Sequence, residues 1–457
     1  MFRPPAVFEV QRMTKDMTVG SPMKLVLGFT IPLMFGNLFQ QFYSMVDTII
    51  VGKFLGTGPL AAVGSTGSVT FLILGFCMGV CTGFTIPVSQ RFGSKDFVEL
   101  KRFVGNIIWL AGGFAVLFAV TTALLCRPIL EAMATPADII DDAYAYLLPI
   151  LVGIPATVLY NTLSSLLRAL GDSRTPVVFL VMASVLNIGL DLFLIVVIPL
   201  GVAGAAIATV ISQGLSGLAC LVFIWKKFPL LHVSRDDLRP RLPHMRRLLA
   251  MGLPMGLQLS ITAIGSIILQ ASVNGLGSAV VASTTAASKI YMFFSCAFDA
   301  MGVTMSTWGG QNIGAKKLDR IGKGLRSCIL VGVVYSLAAL VVMVLFGKPL
   351  ALLFVDAGET EIIGRAYQYL VINAAFFIPL AGVNIFRLII QGMGYSKVAV
   401  FAGVFEMVAR GATGLFLVPA FGFLAACFAG PIAWVMADCF LIPAYVKVMK
   451  HVKQYGY

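Results

Sequence analysis

Apolar residues run in long blocks along nearly the whole chain, separated by short stretches rich in Lys, Arg, Gly and Pro. A helix crossing a bilayer needs about 20 mostly apolar residues. Twelve blocks meet that length: 24–52, 59–88, 104–126, 143–167, 176–198, 201–225, 248–273, 278–308, 327–346, 366–390, 398–418 and 421–446. Gly and Pro fall inside many of them, which membrane helices tolerate when neighbours re-satisfy the backbone. The pattern predicts an all-α integral membrane protein. Ahead of the first block, MFRPPAVFEVQRMTKDMTVGSPMK is polar and mixed in charge, without the short apolar core of a cleavable leader. The first block is therefore expected to remain as a span.

The pattern also repeats. SQRFGSKD (Ser89–Asp96) returns as GQNIGAKK (Gly310–Lys317), and CRPIL (Cys126–Leu130) as GKPLA (Gly347–Ala351), both at an offset of 221. AYAYLLPILVGIP (143–155) resembles AYQYLVINAAFFIP (366–379), and RALGDSR (168–174) resembles QGMGYSK (391–397), both at 223. Six blocks separate each stretch from its copy, and an even number preserves orientation. The expectation is two six-helix bundles related by a pseudo-two-fold axis along the membrane normal, an architecture of secondary transporters. The expected division is a cytoplasmic segment 1–23, a first bundle 24–225, a linker 226–247, a second bundle 248–446 and a tail 447–457.

Composition agrees with that class. Of 457 residues, 59% are hydrophobic and 12% charged, about half the charge of an ordinary soluble domain. The net charge of +13 does not imply nucleic acid, because 27 of the 33 Lys and Arg fall in the amino-terminal segment, the connections after even-numbered blocks and the tail, with Lys24 and Arg387, near block ends, counted among them. That asymmetry puts both termini in the cytoplasm, in the plasma membrane. The eight Cys lie in or beside apolar blocks without metal-ligand spacing, and the three His sit in basic connections without HExxH. No Walker A stretch is present either, so the reading is a carrier and not an enzyme, with no cofactor.

Five acids fall inside blocks: Asp47, Asp191, Asp299, Glu406 and Asp438. An ionisable group at membrane depth costs at least about 2.5–3.5 kcal/mol and normally faces an interior or an aqueous cavity. Tyr43 and Asp47, and Asn187 and Asp191, are each four residues apart and so share a helix face. Should the two patches meet, burial and like charge favour one shared proton, and the oxygens can equally hold a hard cation such as Na⁺. Glu406 and Arg410 read as an intrahelical ion pair. Lys289 and Arg410 are the cations assigned to blocks. Gln40, Asn161 and Asp299 are candidate cavity residues for small amphiphilic or cationic molecules.

IPLMFGNLFQQFYSMVDTIIVG, the paired Q-x-x-G-[SA]-K turns and LNIGLDLFLI together resemble the multidrug and toxic compound extrusion (MATE) family over residues 20–450. The resemblance implies drug or organic-cation efflux driven by inward H⁺ or Na⁺. It implies an ion site on Asp47, Asn187 and Asp191 with Tyr43, a further ligand at Thr209 and a bending proline at Pro32. Some members add acids on the seventh and tenth helices. The matching stretches here, 252–266 and 371–387, have none, so coupling is expected in the amino-terminal half. The transport unit is expected to be one chain in membrane lipid. The alternative is a flippase for a lipid-linked precursor, which would line its cavity with Arg or Lys.

Overall fold

The computed structural model describes residues 15–133 and 135–455. Residues 1–14 of the amino-terminal segment and the last two residues of the tail lie outside the described residues. Each of the twelve apolar blocks corresponds to helix. These are α1 (Pro22–Leu55), α2 (Thr57–Phe84, continued by Ile86–Gly93), α3 (Phe97–Leu124), α4 (Ile140–Val152 and Ile154–Ala169), α5 (Arg174–Leu192 with a π-helical turn Phe193–Val197) and α6 (Val202–Lys227). The second half repeats the series as α7 (Leu242–Asn274), α8 (Ser278–Gly314), α9 (Leu318–Ala351), α10 (Thr360–Ala375 and Phe377–Gly392), α11 (Ser396–Ala412 with a π-helical turn Thr413–Leu417, then Val418–Phe421) and α12 (Phe423–Tyr455). No strand occurs among the described residues.

Eleven of these qualify as spans by length and hydropathy when each bent helix counts once. The twelfth, α8, is 37 residues long, about 55 Å at the helical rise. It falls short only because Ser, Thr, Lys289 and Asp299 dilute its apolar content. The bent helices are α4, at 48°, and α10, at 51°. Pro155 and Pro379 follow the breaks, and a proline there removes the N–H that would bond back into the preceding segment.

The repeat is written in the backbone as well. Positive φ recurs in pairs at Gly56 and Gly277, Lys95 and Lys316, Gly171 and Gly394, and Gly201 and Gly422. The partners lie 221 to 223 residues apart and agree within 11°. The two π-helical turns start 220 residues apart. These are sites where local geometry is costly, so their pairing reflects the same architecture built twice.

Two compact units divide the chain, and each first helix of a half is shared. One unit holds Phe35–Gly256 with Lys15 and Asp16; the other holds Met17–Met34 with residues 257–455. The borders fall two residues after Pro32 in α1 and two after Pro254 in α7. Within the first unit, Gly79 and Gly83 of α2 meet Gly252 and Gly256 of α7. A Cβ on Gly83 would lie 2.6 Å from the Gly252 Cα. Small residues four apart on both helices permit that approach. At the corresponding place in the second unit, Thr30 and Thr304 share a hydrogen bond of 2.8 Å.

Candidate functional site

The first unit brings together residues from α1, α4, α5 and α6. Tyr43 and Asp47 stand on α1, Asn187 and Asp191 on α5, and Thr209 on α6. The side chains of Asp191 and Asn187 are buried, at 0% and 1% exposure, whereas Asp47 is half-buried. Beside them lies an apolar cluster of Ile50, Val51, Ile195 and Ala205, with Val46, Tyr146 and Ile188 against it. Those contacts seat α1 on α5 and α6 one turn from Asp47.

Asn187 bridges α5 to α6. With its amide oriented to satisfy both neighbours, the nitrogen donates to Asp191 Oδ2 at 3.0 Å and the oxygen accepts from the Thr209 N–H at 3.3 Å. The Thr209 hydroxyl lies 3.3 Å from the same amide and donates to the Ala205 carbonyl at 3.1 Å. The carboxyl groups of Asp47 and Asp191 stand within hydrogen-bonding reach of each other. Each keeps one oxygen, Oδ1, buried with no donor facing it. Ionised carboxylates only accept. The two can therefore bond to each other only through a proton, and without it each leaves a buried acceptor unsatisfied, at about 1–3 kcal/mol.

Tyr146 of α4 lies in the electrostatic range of Asp47, Tyr43 and Asp191, and sequence reasoning did not select it. The signal available was the AYAY stretch of the repeat, which placed it in an element that recurs in both halves without revealing what it faces. The oxygen set on these residues (two carboxyls, an amide and a hydroxyl) suits a proton or a hard monovalent cation. No group of three or more His, Cys, Asp or Glu with metal-holding geometry occurs among the described residues.

Of the candidate cavity residues, Gln40 is exposed on α1. Asn161, half-buried on α4, donates to the Thr157 carbonyl at 2.8 Å, and Thr157 in turn donates to Gln213 at 2.6 Å. Asp299 belongs to the second unit. It is exposed on α8 although helices surround it. Pro32 sits inside a continuous α1.

The second unit holds a charge network at membrane depth. Glu406 on α11 is 3% exposed. It accepts from Arg387 of α10 at 2.9 Å and from Arg410 at 3.4 Å. Arg387 also donates to Asn384 at 3.0 Å, and Arg410 to Ser266 at 3.1 Å. Asp299 and Asp438 lie in the electrostatic range of Arg387. The count of basic residues placed Arg387, near the end of block 366–390, with the connection after the tenth block. Helix α10 continues to Gly392, so Arg387 becomes the nearer partner of Glu406.

Comparison with known proteins follows the same outline. The MatE family model matches residues 32–193 and 254–416, one segment in each half. A probable multidrug resistance protein, YpnP of Bacillus subtilis (strain 168), is 30% identical over 372 residues, covering 81% of this chain and 82% of its own. A second from that organism, YoeA, is 27% identical over 373 residues, 80% of each chain. Among solved structures, an outward-facing multidrug resistance MATE family transporter of the MOP superfamily superimposes with a TM-score of 0.90 at 21% identity, over 99% of this chain and 100% of that one.

Proposed function

The chain belongs to the MatE family of multidrug transporters, and from that premise we propose that it expels small amphiphilic or cationic molecules by antiport with H⁺ or Na⁺. The observation that carries the reading is the pairing of half-buried Asp47 with buried Asp191, whose carboxyls face each other with Asn187 tying Asp191 to α6. One proton or one Na⁺ satisfies both buried oxygens, and its loss leaves two like charges side by side. The occupied and empty forms therefore differ in the free energy of seating α1 on α5, which is the differential that coupling requires. Pro32 lies two residues before the point where α1 passes from one unit to the other. Helix α1 is continuous there, and we assign Pro32 as the point where it bends during the cycle, because a proline removes one helical hydrogen bond.

In this cycle the outward-facing carrier takes up the ion at Asp47 and Asp191, α1 repacks, and the drug leaves. The ion-loaded carrier returns inward and releases the ion to the cytoplasm. Asp299, an exposed carboxylate at membrane depth, is the acid we assign to the cationic group of the drug in the second unit. A single chain forms the transport unit, with both termini cytoplasmic. The flippase reading is not favoured, since the two arginines at membrane depth in the second unit are tied to Glu406 and, of the block cations there, Lys289 alone remains for a headgroup.

The test is driven efflux of a cationic dye from proteoliposomes under an imposed pH gradient, an imposed Na⁺ gradient or neither. Wild type should respond to one gradient, and Asp47→Asn should lose the driven component while still folding in the bilayer. Normal driven rates in Asp47→Asn would sink the proposal. A response in that assay also identifies the ion.

A further inference from the structure

The paired Q-x-x-G-[SA]-K turns are left unused by the carrier cycle, and the two copies differ in charge. In the first unit the turn at residues 90–95 leads into Asp96 and Glu99, and both acids are paired. Asp96 meets Arg91 at 3.4 Å, and Glu99 meets Arg102 at 2.6 Å and His244 at 2.9 Å. At the offset of 221, Asp96 and Glu99 are replaced by Lys317 and Arg320, while Lys95 is matched by Lys316. The backbone is the same, with φ of 59° at Lys95 and 58° at Lys316. The repeat thus provides an internal control: one fold, balanced in the first copy and strongly cationic in the second.

In the second unit these residues line a cleft of about 440 Å³, formed by Lys316, Lys317, Leu318, Asp319, Arg320 and, from the last turn of α12, Lys453. Among the described residues that line it, four are cations and one is an acid. Neither Lys316 nor Lys453 has an acidic partner among the described residues. Lys317 and Arg320 both reach backbone carbonyls of the segment before α1, and Arg320 also donates to Asn312 Oδ1 at 3.2 Å. Lys317 donates to the Thr18 carbonyl at 2.8 Å, and Arg320 donates to those of Gly20 and Met17 at 2.9 and 3.0 Å. The Arg320 guanidinium also lies over the Trp308 ring at 5.1 Å. The amino terminus of α9 opens beside them with no side-chain cap, which adds a favourable dipole for an anion.

We infer that this cleft binds the phosphate of an anionic phospholipid headgroup, and that its occupancy steadies the seat of α1. A lipid is assigned over free phosphate because α9 and α12 are both apolar enough to span and the cleft lies at their ends, where headgroups stand. Basic clusters beside a span attract anionic headgroups. The link to α1 is direct: Lys317 and Arg320 hold Met17, Thr18 and Gly20, the residues immediately before the helix that carries Asp47. Occupancy of the cleft draws the same two side chains, and so sets how firmly that segment is held.

The test uses the full-length protein and the double variant Lys316→Ala/Lys453→Ala, which spares the two residues holding the Met17–Gly20 backbone. Native mass spectrometry with phosphatidylglycerol, phosphatidylcholine or inorganic phosphate reads binding without reference to transport. Wild type should retain phosphatidylglycerol over phosphatidylcholine, and the double variant should bind it roughly 30-fold more weakly, about five- to six-fold per lysine. Equal retention by the two proteins would overturn the site. Bound inorganic phosphate that phosphatidylglycerol fails to displace would overturn the lipid assignment.

The second arm rests on the carrier reading. Adding phosphatidylglycerol to phosphatidylcholine vesicles should speed wild-type efflux and leave the double variant at its unstimulated rate. Equal stimulation of both would overturn the link to α1. Absence of driven efflux from wild type in every lipid would instead count against the proposed function and leave the binding result standing.

Discussion

Asn187 makes the sharpest residue-scale prediction, because its amide serves two helices at once. Replacing it with Leu takes the amide donor from Asp191 Oδ2 inside a buried site, at about 1–3 kcal/mol for an unsatisfied group. Driven efflux should fall by roughly 5- to 150-fold, the kinetic equivalent of that range, with a lower unfolding temperature in detergent. Thr209→Val should do much less, since the backbone N–H that meets the amide survives. A loss as large as that of Asn187→Leu would place the ion on the Thr209 hydroxyl. In the second unit, Arg387→Ala should destabilise more than Arg410→Ala. Its contact with Glu406 is 2.9 Å against 3.4 Å, and removing one partner of a buried pair costs about 3–5 kcal/mol. Thermal unfolding of the two variants ranks them directly. Asp47, Asn187 and Asp191 were legible in the sequence because charge inside an apolar block is conspicuous and helical spacing of four residues fixes a face. Tyr146 and Arg387 were not, because an aromatic in a span carries no distinguishing mark and an arginine near a block's end reads as a loop cation.

At the scale of elements, the α2–α7 contact depends on glycine where no side chain fits. A Cβ on Gly83 would meet the Gly252 Cα at 2.6 Å and the Met251 carbonyl at 2.7 Å. Both are backbone atoms, so one helix must move. Gly83→Ala should cost about 1–3 kcal/mol, as overpacking does, and should slow transport by displacing the start of α7. Gly113→Ala on α3 is the control, since nothing lies within 4 Å of its added Cβ. Equal unfolding temperatures for the two variants would contradict the close-packed seat. The twelve helices themselves were readable from apolar length. Their breaks were only partly so: Pro155 and Pro379 are visible in the sequence, but many prolines sit in continuous helices here, among them Pro32 and Pro254. What decides is whether the neighbours replace the lost hydrogen bond.

At the scale of the molecule, the internal repeat was visible as four weak matches and is sharpened by the paired positive-φ residues. The exchange of the first turns of α1 and α7 between units was not visible, because nothing local distinguishes a helix that changes unit from one that does not. Charge asymmetry supplies the remaining whole-molecule prediction. Placing Arg387 on α10 removes one cation from the even-numbered connections and leaves the bias intact, since the odd-numbered ones carry only Lys53, Arg127, Lys348 and Arg365. Positive residues hold their connections in the cytoplasm, so the linker between α6 and α7 should be inside and the turn before α10 outside. Arg235 and Glu359 are exposed in those two connections. In a background with the exposed Cys439 replaced by Ser, Glu359→Cys should react with an impermeant maleimide added to intact cells, and Arg235→Cys should react only after permeabilisation. The reverse pattern would invert the carrier and place the basic cleft of α9 and α12 against the outer leaflet, away from the cytoplasmic anionic lipids.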